Sequence, residues 1–117
     1  MIEKELDKLV QKLHQNQLCR VCRKPAECIH HRVGRANLML RYDIINLMPL
    51  CYNCHRLIHD GKINQWDYTH PDLKLYLDRV KNMSFKDYLL FECGGLTKDE
   101  YFKKCKLEIK RLIDADS

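Results

Sequence analysis

CYNCHRLIHDGK, residues 51–62, interleaves two cysteines three apart with two histidines four apart. Cys51 and Cys54 at this spacing place two thiols on one tight turn. Cys19 and Cys22, in CRVC, repeat the arrangement upstream. Two such knuckles complete the tetrahedral four-sulfur shell that zinc favours. Core thiols or disulfides are the alternatives, but the chain has seven cysteines, an odd number that a closed disulfide framework would leave unbalanced. A four-cysteine zinc site is full. It leaves no position for water, so it is expected to secure the fold rather than to do chemistry.

Filling that shell with sulfur leaves His55 and His59 free. Residues four apart share one face of a helix, so their imidazoles can grip one ion. Alone, such a pair more often decorates a surface. Just upstream, however, IHHRVGR supplies His30 and His31 on a β-prone segment, so four of the six histidines fall in the region the zinc would tie together. Two helix histidines and one strand histidine would make a three-nitrogen site with open positions, the layout of a catalytic metal. The fourth would be free to serve as a base near neutral pH. Asn46 is either the group that orients that base or a turn residue before the next strand.

Working outward, apolar Ile2, Leu6, Leu9, Val10 and Leu13 recur at helical spacing and predict an amphipathic helix over about residues 2–15. CRVC with Pro25 reads as a loop. ECIHHRV and INLMPLC read as short strands, the second ending at Pro49. A helix follows over about residues 53–60, with Gly61 as its stop. Beyond it, Pro71 opens one helical segment and Ser84 caps another that CGG ends. Thr97 and Glu100 stand at capping-box spacing before a third. The expected fold is therefore α+β and mainly helical: a small ββα-metal core stapled by zinc, with flanking N- and C-terminal helices. It reads as one domain over residues 1–117, divided into an N-terminal helix (1–18), the core (19–62) and a C-terminal helical extension (63–117).

A chain of 117 residues builds only a modest core, which a metal staple would help. The formal net charge of +5 favours a polyanionic partner, weakly. No apolar run is long enough to span a membrane, and the start of the chain has neither signal-peptide nor transit-peptide character, so no membrane association and a cytoplasmic location are expected.

CRVC, HHRVGR and NLMPLCYNCHRLIH together resemble the HNH endonuclease family over about residues 19–61, with the knuckles, the His-His pair, the Asn and the helical His-x-x-x-His in matching order. The resemblance implies a ββα-metal fold and hydrolysis of DNA phosphodiesters. It implies His31 as general base and His30, His55 and His59 as ligands of one catalytic divalent cation. Asn46 would orient His31 or hold the hairpin. Many members carry Asp where His30 stands, and colicin-type members carry His. An all-nitrogen set suits nickel, zinc or manganese, whereas a carboxylate would suit magnesium better. Adjacent strand residues point to opposite faces, so only His30 need face the ion, with His31 across the scissile phosphate. Duplex or branched DNA is the implied partner, in a setting such as phage DNA recombination or processing within a bacterial host. The C-terminal helices would form a homodimer face or a clamp on DNA.

Arg32, Arg35, Arg41, Arg56 and Lys62 surround the site in sequence, each a phosphate contact or simply solvated surface; Arg35 and Arg56 are the preferred phosphate-binding pair. Cys28 shares a strand face with His30 and reads as a small buried thiol, Cys105 as core, and Cys93 has no assigned role. His14 and His70 read as surface or cap residues, and Trp66 and Tyr68 as packing. The competing function is a noncatalytic zinc-dependent nucleic-acid-binding module, which would not need His31, Asn46, His55 and His59 together. A zinc adaptor for protein contacts, with no nucleic-acid affinity, is the third.

Overall fold

The computed structural model describes residues 1–115. Along the chain run α1 (Ile2–Leu13), β1 (Cys28–His31), β2 (Leu47–Leu50), α2 (Tyr52–His59), α3 (Pro71–Val80), α4 (Phe85–Phe91) and α5 (Lys98–Asp114). Two 3₁₀ turns, Ile44–Asn46 and Gln65–Tyr68, precede β2 and α3. The expected order of elements holds. The first helix ends at Leu13, two residues short of the expected limit, and Asn16 then turns the chain with φ +66°.

β1 and β2 form a two-stranded antiparallel sheet in which His30 pairs with Met48 and His31 with Leu47. The second strand runs one residue past its expected end, to Leu50. Pro49 is tolerated within it because it needs to donate nothing on its outer edge. Its carbonyl still accepts from the Arg20 N–H at 3.0 Å, which draws the first cysteine loop against the strand.

Helix boundaries follow local chemistry. Cys51 caps α2, its sulfur accepting from the Cys54 N–H at 3.4 Å. Gly61 follows the helix with φ +74°, a conformation that costs a glycine little. Ser84 caps α4 and the His70 imidazole caps α3. Thr97 and Glu100 complete the capping box of α5.

Two apolar clusters result. The larger is built from α1 (Leu6, Val10), the β1–β2 connection (Leu40, Tyr42), α3 (Leu77, Val80) and α5 (Phe102, Ile109), and Cys105 lies within it. The smaller gathers Met48 and Leu50 of β2 around Cys19, Cys51 and Cys54. The flanking helices therefore pack on the loop joining the strands, while sulfur fills the space beneath the sheet. Asp43, buried in that connection, accepts from the Tyr76 hydroxyl of α3 at 2.8 Å and caps the following turn through the Ile45 N–H. Lys106 of α5 meets Glu5 of α1 at 2.6 Å, and α1 lies against α5.

Candidate functional site

The sulfur cluster forms where two chain turns meet below β2. The Sγ atoms of Cys19, Cys22, Cys51 and Cys54 all lie within 4.8 Å of one another. Cys22 and Cys51 are 3.7 Å apart, sulfur to sulfur. Four thiolates about 2.3 Å from a central zinc would stand about 3.8 Å apart along each edge of the tetrahedron. The donor set and its spacing therefore fit a structural zinc. Burial raises the Cys19 thiol, but the backbone N–H groups of Cys22, Cys51 and Val21 outweigh it and bring it down to about 6. Cys54 is pushed up by burial and by the three neighbouring sulfurs. Without a cation, a thiolate at one corner holds protons on the next.

Beside the sulfur cluster the histidines form a row. His30 of β1 and His55 of α2 have ring centroids 5.2 Å apart, edge to face. His55 and His59, one helical turn apart, are also 5.2 Å apart. Imidazoles bound through nitrogen at about 2.1 Å to one ion, at tetrahedral angles, have centroids about 5 Å apart. Each neighbouring pair thus has a spacing that suits a shared cation. As a set of three the row is more open: among the described residues, only the cysteine cluster brings three or more candidate ligand atoms all within 4.8 Å. Burial holds His30 and His55 below the usual imidazole value, which keeps their lone pairs available. Cys28 stands beside the row, its sulfur 3.7 Å from His55 Nδ1 and donating to the Leu50 carbonyl at 3.4 Å.

His31 points away from that row, as strand alternation requires. Its Nε2 lies 3.0 Å from the carbonyl of Arg41. A carbonyl only accepts, so Nε2 carries the proton and the Nδ1 lone pair is free. Burial pushes the imidazole down to about 4, so it is neutral at physiological pH. His31 lines a cavity of about 310 Å³ between α1 and β1, together with Asp7, Gln11, Arg35 and Tyr52. Cys28 lines the same cavity, which therefore adjoins the histidine row.

Asn46 is fully buried, and its side-chain hydrogen bonds do not go to His31. Its Oδ1 accepts from the Val33 N–H at 2.6 Å, and its Nδ2 donates to the carbonyls of Val33 (2.9 Å) and Leu40 (3.0 Å). Of its two expected roles, the geometry is that of holding the hairpin connection. It fixes the loop one residue before the carbonyl that His31 meets.

The arginines divide. Arg35 is exposed, reaches Asp7 at 3.6 Å and borders the His31 cavity. Arg56 is tethered to Asn53 on its own helix at 3.4 Å. Arg32, one of the basic residues weighed as a phosphate contact, is only 7% exposed. Its guanidinium donates to Thr69 Oγ1 (2.9 Å) and to the carbonyls of Ile45 (2.8 Å) and Leu47 (3.0 Å), so it clamps the strand ends and has no free face for DNA. Sequence reasoning also missed Gln65, whose Oε1 lies 2.8 Å from His30 Nε2. No spacing rule marks a glutamine thirty-five positions away; only the fold brings them together.

A two-stranded hairpin followed by a helix, stapled by four thiols and presenting histidines from both strand and helix, defines a ββα-metal domain. Residues 19–61 match the family model described as HNH endonuclease. A match to this model points to a nuclease or nucleic-acid-related function. No curated protein and no solved structure matches the chain. Among the described residues no helix is long and apolar enough to cross a membrane.

Proposed function

We propose that the protein is a metal-dependent DNA endonuclease in which His31 is the general base. The observation that carries the reading is the bond between His31 Nε2 and the Arg41 carbonyl, which leaves a neutral imidazole with its Nδ1 lone pair free beside an open cavity. That nitrogen would take the proton of the water attacking phosphorus. His30, His55 and His59 would hold a divalent cation (Mg²⁺, Mn²⁺, Ni²⁺ or Zn²⁺), which when bound supplies positive charge to a nonbridging oxygen and to the leaving 3′ oxygen. Asn46 acts as a positioning residue, keeping the loop from which the Arg41 carbonyl meets His31. Arg35 sits where it can meet a phosphate next to the cut, and Arg56 would contact the backbone farther along. The cysteine-bound zinc serves the scaffold alone. The products are 5′-phosphate and 3′-hydroxyl ends.

The second reading, a noncatalytic zinc-dependent nucleic-acid-binding module, draws on one observation: the three histidines do not close to the spacing of the cysteines. Incubation with plasmid and with branched DNA across magnesium, manganese, nickel and zinc separates the two. Cleavage lost in His31→Ala and His59→Ala supports the endonuclease. Binding without cleavage in every metal supports the module. The branched arm also tests a role in recombination, the processing step suggested for a phage-encoded protein. A homodimer would cover the exposed Leu90, Phe91 and Leu107 of the C-terminal helices, and sedimentation of the zinc-loaded protein tests it.

A further inference from the structure

An imidazole has two nitrogens, and a neutral one offers a cation only the nitrogen that lacks the proton. Which nitrogen that is for His30 is decided outside the family-matched segment, by Gln65 in the turn before α3. The Gln65 amide touches two groups. Its Nε2 donates to the Arg32 carbonyl at 3.3 Å, and its Oε1 lies 2.8 Å from His30 Nε2. The Arg32 carbonyl can only accept, so the amide nitrogen must face it and the amide oxygen must face His30. An amide oxygen likewise only accepts. His30 Nε2 therefore carries the proton, and the lone pair sits on Nδ1.

The glutamine is itself held. Its backbone carbonyl accepts from the Thr69 hydroxyl at 3.0 Å, and that hydroxyl accepts from Arg32 Nε at 2.9 Å. The main chain and side chain of Arg32 thus grip the two ends of the Gln65–Tyr68 turn, immediately beyond His30 and His31. Each bond in this ring has one possible donor direction, so the tautomer of His30 follows from the whole network and not from one contact.

We propose that Gln65 is a positioning residue for the second cation site: it fixes His30 in the Nε2–H tautomer and so assigns Nδ1 as the nitrogen offered to the ion. The proposal rests on the reading of His30 as a ligand. Ligand histidines that donate their other N–H to a fixed acceptor bind metal about 10–100-fold more tightly than those that have lost it. The C-terminal extension would then complete a centre whose other groups all lie within residues 30–59.

The test uses the full chain with its cysteine site filled with zinc, and nickel as the probe. Long-range ¹H–¹⁵N correlation of the histidine rings, before nickel is added, should find His30 protonated on Nε2 in the unsubstituted protein. Gln65→Leu should weaken nickel binding by titration calorimetry about tenfold or more. Gln65→Glu, which keeps an acceptor facing His30 but sets its other oxygen against the Arg32 carbonyl, should recover part of it. An Nδ1–H tautomer in the unsubstituted protein overturns the proposal without any variant having to fold. So does unchanged nickel affinity in Gln65→Leu when His30→Ala has lost it. If His30→Ala binds nickel as tightly as the unsubstituted chain, the reading of His30 as a ligand fails, and the proposal with it.

Discussion

The side-chain amide of Asn46 pairs with the main chain of Val33 as a neighbouring strand residue would, accepting from its N–H at 2.6 Å and donating to its carbonyl at 2.9 Å. A second donation, to Leu40, ties both ends of the same loop to one buried group. Asn46→Ala would take from the Val33 N–H and carbonyl their shared side-chain partner and leave the Leu40 carbonyl only the Asp43 N–H. We expect a loss on the order of 3 kcal/mol in urea denaturation of the zinc-loaded protein. Asn46→Asp should be no better, because it places a carboxylate against two carbonyl oxygens. Stability unchanged in both would show that the loop is held by other contacts.

His31→Ala should leave the fold and the zinc content intact, because the imidazole makes a single hydrogen bond, to the Arg41 carbonyl. Plasmid nicking should fall about 100- to 10,000-fold, the usual worth of a positioned base. A variant that nicks at the original rate removes His31 from the chemistry.

The two metal sites should part on chelation. Mild chelator should remove the ion held by the histidines and stop cleavage, with circular dichroism unchanged. Cys54→Ala should instead unfold the core around Met48 and Leu50, which packs on the sulfurs. Metal counting on His59→Ala should still find one tight zinc per chain. Loss of that zinc from His59→Ala would mean that the sites are not separate.

Arg32 and Arg35 are three residues apart and should behave oppositely. Arg32→Leu strands the carbonyls of Ile45 and Leu47 and removes the donor to the Thr69 hydroxyl, and should lower stability by about 3 kcal/mol. Arg35→Ala should barely change stability, since its ion pair with Asp7 is exposed. It should weaken DNA binding and reduce the salt slope of that binding by about 1. An unchanged slope would take Arg35 off the phosphate path.

The α5 capping box gives a stability test remote from the site. Thr97→Ala should cost about 1 kcal/mol by thermal or urea unfolding, with nuclease activity retained. The hydrogen bond from the Thr97 backbone holds the Glu100 carboxyl below its ordinary value of 4.5. Its folded pKa is lowered, so its contribution is present above pH 4.5 and fades as pH falls through the folded value. Glu100→Gln should flatten that acid limb. An identical acid limb would assign it to other carboxylates.

The sequence carried whatever depends on spacing along the chain. Two cysteine pairs at knuckle spacing gave the staple, His55 and His59 gave a shared helix face, and Ser84, Thr97 and Gly61 marked helix ends, because each rests on contacts a few residues apart. Strand alternation likewise separated His30 from His31. What sequence could not carry were the partners of these groups. Gln65 beside His30, Cys28 beside His55, the Arg41 carbonyl at His31 and the burial of Arg32 all depend on which loops the helices press together. A charged side chain reads the same in sequence whether it faces water or three buried acceptors. Only the packing of α1, α3 and α5 on the β1–β2 connection, driven by apolar burial and blind to register in the loops, decides which it is.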